Sequence, residues 1–91
     1  MDNVKANNML SKNGKAVPNQ IVITTGHGQY FQSYNTAIAH VCHNTGQIFL
    51  DESKWDYSPT TSRYRNQFLG LTSAETKAKI ESGEIKLVNL N

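Results

Sequence analysis

The sequence predicts an α+β domain: a small antiparallel sheet in the chain order β-β-β-β-α-α-β, with two short helices on one face. Three observations predict it. Ile21-Val22-Ile23-Thr24-Thr25 is an unbroken β-branched run, the strongest strand signal in the chain. Turns at Gly26-His27-Gly28 and His43-Asn44-Thr45-Gly46 separate further apolar runs with glycine and asparagine chemistry. Two sets of helix start and stop signals then lie between residues 58 and 83.

Taken in order, residues 1–17 hold few apolar side chains, several Asn and Lys residues and the turn pair Asn13-Gly14. They are read as a flexible N-terminal arm ahead of a single domain spanning 18–91. Lys5, Lys12 and Lys15 would let that arm touch phosphate. Order is expected from Pro18, with Ile21–Thr25 and Gln29–Ser33 as a first hairpin. Ala37–Cys42 and Gln47–Leu50 form a second, and Asp51–Tyr57 leads into the first helix. Ser58 can accept from the orphan N–H groups of that helix, Pro59 is tolerated at its first position, and Gly70 supplies the left-handed stop. Thr61, Tyr64, Arg65 and Phe68 share one face at helical spacing, widened by Leu69, while Arg63, Asn66 and Gln67 point elsewhere. Thr60 and Ser62 fall near the first turn. The second helix opens with the capping box Thr72-Ser73-Ala74-Glu75 and closes at Gly83. Its apolar content is only Ala74, Ala78 and Ile80, so it is expected at the surface, followed by a last strand over Glu84–Leu90.

Composition bounds the function. The chain has 91 residues, a net charge of +2 and 18% charged residues, below the usual ~25%, with amides and hydroxyls filling the difference. That charge excludes a strongly acidic DNA mimic and does not demand a nucleic-acid partner. Cys42 is the one cysteine, so no internal disulfide forms, in keeping with a reducing cytoplasm. No apolar run approaches a membrane span and the first residues lack a signal-peptide pattern. The expectation is a cytoplasmic domain with no membrane partner.

His40-Val41-Cys42-His43 suggests a metal, but on a strand His40 and Cys42 share a face that His43 does not, and nothing completes a ligand set. Gly26-His27-Gly28 lacks both the dinucleotide fingerprint and the P-loop pattern. Candidate catalytic groups are dispersed, with Asp51, Glu52 and Asp56 more suited to ion pairs with Lys54, Arg63 or Arg65. Neither catalysis, a metal nor a cofactor is therefore expected. The stretch Trp55–Gly70 differs, because Lys54, Trp55, Tyr57, Arg63, Tyr64 and Arg65 gather aromatics and cations. That mixture recurs at interface hot spots and also suits single-stranded nucleic acid. Tyr64 and Phe68 are assigned to the core. The expected partner-binding residues are Lys54, Trp55, Tyr57, Thr60, Arg63, Arg65 and Asn66.

Phe31-Gln32-Ser33-Tyr34, Leu50-Asp51, Trp55-Asp56-Tyr57-Ser58, Thr60-Thr61, Tyr64-Arg65-Asn66-Gln67-Phe68-Leu69-Gly70 and Ser82-Gly83-Glu84 resemble an uncharacterised small domain. It is encoded by tailed bacteriophages and by bacteria carrying prophages. The resemblance spans roughly Tyr30 to Asn91 and implies a setting, with no activity and no catalytic residue. Small phage proteins without catalytic motifs often bind a host macromolecule and block it. The expectation is a non-enzymatic accessory protein that inhibits a host protein or ribonucleoprotein complex, such as a defence nuclease of the anti-CRISPR type. A nucleic-acid-binding module using Lys54, Arg63, Arg65 and the arm lysines is the alternative. A small enzyme around His27, His40 or Cys42 is the third reading. A homodimer is compatible with all of them.

Overall fold

A computed structural model describes residues 4–91. The elements are β1 (Lys5–Leu10), β2 (Ala16–Thr24), β3 (Gly28–Ser33), β4 (Thr36–Cys42), β5 (Ile48–Asp51), α1 (Pro59–Leu69), α2 (Ser73–Ser82) and β6 (Ile85–Val88). All six strands form one sheet whose spatial order follows the chain. The α+β class and the two helices agree with the sequence, as do both helix caps. Ser58 accepts from the Thr61 N–H, Thr72 and Glu75 form the reciprocal box, and Gly70 and Gly83 close in the left-handed conformation.

One expectation is corrected and one, the antiparallel sheet, holds for four of the five strand pairings. The arm assigned to residues 1–17 is not an arm where it is described: β1 pairs antiparallel with β2, Lys5 opposite Thr24 and Asn8 opposite Ile21. Its residues other than Met9 are exposed, so its place rests on ladder hydrogen bonds and on the Asn8 side chain donating to the Val17 carbonyl at 2.9 Å. The part of the arm call covering residues 1–3 lies outside the described residues. The sheet is also not wholly antiparallel, because β6 runs parallel to β5. The crossover through α1 and α2 brings the chain back to the starting end of β5, and Asp51 then ties the far ends together. Its carboxylate accepts from the Leu90 N–H at 2.9 Å, and the Glu52 N–H donates to the Val88 carbonyl at 2.8 Å. Both strands are thereby bound to end at the same place.

The helices cover the sheet face that carries Phe31, Ala39 and Leu50, all fully buried with Ile38. The Phe68 ring stacks on Phe31 with centroids 5.9 Å apart, and the Ser33 and Thr61 hydroxyls share a buried hydrogen bond of 2.9 Å. A register shift places Phe31 opposite Ala39 but Gln32 opposite Ala37, leaving Ile38 as an extra residue that also turns inward. On the other face Tyr30, His40 and Phe49 are neighbours in register and stack in a row, with centroids 4.1 and 5.9 Å apart. His40 Nδ1 lies 3.1 Å from the Gln29 carbonyl. The ring faces in that row are turned toward one another.

Gly28 is the one glycine among those described whose added Cβ would meet its surroundings. A Cβ there would overlap the Val41 carbonyl oxygen and sit 2.9 Å from Cε1 of His40. Replacing Gly28 with Ala is expected to cost at least about 2 kcal/mol, whereas Gly70→Ala, with open space around it, should cost about 1 kcal/mol from its left-handed φ alone. Urea unfolding of the two variants checks this ordering.

Burial pushes the Asp51 carboxyl up, but hydrogen bonds from the Leu90 N–H, the Asn91 side chain and the Ser53 and Lys54 N–H groups outweigh it and hold it below its ordinary value. A carboxylate held low stabilises the fold above its unfolded value of about 3.9, and that contribution is lost as pH falls through the lower folded value. Asp51→Asn should therefore unfold more easily at neutral pH and show a flatter acid limb, read from thermal unfolding between neutral and strongly acid pH.

Candidate functional site

The aromatic and cationic stretch is built around a buried guanidinium. Arg65 is fully buried on the inward side of α1, where its helical spacing from Thr61 and Phe68 puts it. Its Nη1 donates to the Trp55 carbonyl at 2.7 Å and to the Asp56 carboxylate at 3.2 Å. Its Nη2 donates to Asn66 Oδ1 at 2.9 Å and to the Ser73 hydroxyl at 3.1 Å. The guanidinium carbon lies 5.1 Å from the centroid of the Trp55 ring, in cation–π range. Nε has no partner among the described residues. Asn66 itself donates to Ser73 at 3.1 Å, and Asp56 also accepts from the Ser62 hydroxyl at 2.7 Å.

Arg65 is therefore removed from the partner-binding set. A side chain with no exposed surface and four partners cannot also meet another molecule. Trp55 and Asn66 are half-buried members of the same network, and their first role is to hold it. Lys54, Tyr57, Thr60 and Arg63 remain exposed. The Lys54 ammonium sits 5.3 Å from the centroid of the Tyr57 ring, and Tyr57 is 44% exposed. The backbone beneath this pair is fixed, because the Lys54 and Trp55 N–H groups both donate to the Asp51 carbonyl and Ser53 N–H donates to the Asp51 carboxylate.

Lys54 and Arg63 do not converge. Lys54 lines a cavity of about 320 Å³ with Asn35, Thr36, Asp51, Ser53, Asn89 and Asn91. Arg63 lines a separate one with Ser11, Lys12, Asn13, Tyr64 and Gln67. Sequence reasoning missed the second grouping, since residues 11–13 were assigned to the arm. The Asn13-Gly14 turn between polar strands was the signal that could have found it.

The histidines and the thiol serve the sheet in ways the sequence did not show. His40 is held in the ring stack, and the His43 N–H donates to the His27 carbonyl at 3.0 Å, joining two turns. Hydrogen bonds with the Thr45 side chain and with the Thr45 and Asn44 backbone hold the Cys42 thiol below its ordinary value. Among the described residues no three His, Cys, Asp or Glu side chains are placed to hold one metal ion. No helix among them is long and apolar enough to cross a membrane.

The two neighbouring arginines should separate cleanly. Arg65→Ala leaves the Asp56 carboxylate, the Trp55 carbonyl and a cavity without their partner, and should cost about 3 kcal/mol or more. Arg63→Ala should stay within about 0.5 kcal/mol of the parent. Urea unfolding of both variants measures the difference.

No curated protein and no solved structure matches the chain. A family model does match, over residues 4–85, and on that coverage the chain belongs to a family of unknown function, DUF8033.

Proposed function

We propose that the protein is a non-enzymatic accessory factor of phage origin that docks on a host protein or ribonucleoprotein complex and blocks it. A defence nuclease of the CRISPR type is a target class in keeping with the chain's small size and with the phage setting that the resemblance implies. The observation that carries this reading is the exposed Lys54–Tyr57 pair on a loop pinned from beneath. Tyrosine and a cation offer apolar area and polar contact together, which is the composition of binding hot spots. Because Asp51 and Arg65 already hold residues 53–56, little backbone conformational entropy remains to be lost there on docking. Thr60 and Arg63 extend the exposed surface along α1.

The alternative, a nucleic-acid-binding module using Lys54, Arg63, Arg65 and the arm lysines, does not keep that whole set on one surface. Arg65 is buried, and Lys54 and Arg63 face different cavities.

The test is capture of host complexes from lysate with tagged protein, with and without nuclease treatment, alongside the double variant Lys54→Ala, Tyr57→Ala. The expected result is a retained complex whose protein component survives nuclease, with the double variant binding it at least about tenfold more weakly, some 1.4 kcal/mol. Its thermal stability should match the parent. Capture that is indifferent to the double substitution would remove this surface from the account.

A further inference from the structure

The tip of the β1–β2 hairpin is tied to a helix. Gln67 on α1 donates through Nε2 to the Leu10 carbonyl at 3.1 Å, just before the turn in which Ser11 N–H donates to the Lys15 carbonyl at 2.8 Å. Between hairpin tip and helix lies a cleft of about 320 Å³ lined by Ser11, Lys12, Asn13, Arg63, Tyr64 and Gln67. The lining contains two cations and no carboxylate. Among the described residues neither Lys12 nor Arg63 forms an ion pair with a carboxylate. Ser11, Asn13 and Tyr64 add groups able to donate hydrogen bonds. Tyr64 is only 8% exposed, so one wall of the cleft is fixed by the core.

We propose that this cleft binds a phosphate group of a nucleic-acid strand. Two convergent cations with surrounding neutral donors and no competing carboxylate complement an oxyanion, and the arginine fork matches phosphate oxygens bidentately. Lys15, exposed at the end of the same hairpin turn, adds a further cation three residues from Lys12, and a strand carrying successive phosphates can use more than one such charge. The inference needs no contact from Lys54 or Tyr57. Joined to the proposed docking surface, it points to the nucleic-acid component of a ribonucleoprotein as the ligand on this side of the molecule.

The experiment titrates the full chain into a fluorescein-labelled oligothymidylate strand of about 16 nucleotides, over sodium chloride from about 50 to 200 mM. Three proteins are compared: the parent, Lys12→Gln with Arg63→Gln, and Lys77→Gln on the exposed side of α2 as a control. Parent affinity should fall linearly on a log–log plot against salt. The double variant should bind at least about tenfold more weakly at low salt, with a slope shallower by about 1.4, and the control should match the parent. No strand binding at low salt, or equal binding by the double variant, overturns the proposal. Inorganic phosphate shifting the Ser11–Asn13 and Arg63 amide resonances while the strand does not bind assigns the cleft to small anions and equally overturns it. Loss of host-complex capture in the Lys54, Tyr57 variant is read separately, so either proposal can fail without the other.

Discussion

A buried guanidinium is the constraint on which the helical half of this protein depends. Arg65 leaves water entirely, which costs several kcal/mol unless its donors are satisfied. The Nη donors, though not Nε, are satisfied from three places at once: the loop before α1 through Trp55 and Asp56, α1 itself through Asn66, and the first residue of α2 through Ser73. One side chain thus sets the entry of the chain into α1 and the angle at which α2 leaves it. The Trp55 ring against the guanidinium adds the apolar cover such a group needs. The domain has few large side chains to spend on a core, and here a polar hub stands where a larger protein would place leucines.

That hub decides what the surface has left to offer. Trp55 and Asn66 carry the residue types of an interface but are bound inward, whereas Lys54 and Tyr57 are held outward on a loop that cannot easily move. At the other end of the sheet from the β5–β6 junction, the β1–β2 turn brings Lys12 to Arg63. Two exposed features of different chemistry result, one aromatic and cationic, the other a cationic cleft. Under the two proposals they would meet different components of one ribonucleoprotein partner.

Much of the fold could be read locally, because its signals are local. The β-branched run, the glycine turns, Ser58-Pro59, the Thr72–Glu75 box and the two closing glycines each act within a few residues, and each appears where the sequence places it. What was illegible is set by distant contacts. β1 has one buried side chain in six, Met9, and reads as polar tail until β2 supplies its ladder partners. The direction of β6 follows from the crossover through both helices, and the contact of Asp51 with Leu90 that ties the strand ends is encoded by no local pattern. Arg65 is the instructive case. Helical spacing placed it inward with Thr61, Tyr64 and Phe68, while its residue type argued for the surface, and geometry prevailed over residue type.

The central claim is that Arg65 is a structural hub and Arg63 a working surface residue, although they are two positions apart on one helix. Side-chain guanidinium proton exchange, followed by NMR on arginine-labelled protein, tests it most directly. The account predicts slowly exchanging, well-dispersed Arg65 Nη protons beside Arg63 protons that exchange at the rate of free arginine. Comparable fast exchange at both would mean that the guanidinium is not sequestered, and the account of both helices and of the surface they leave would have to be abandoned.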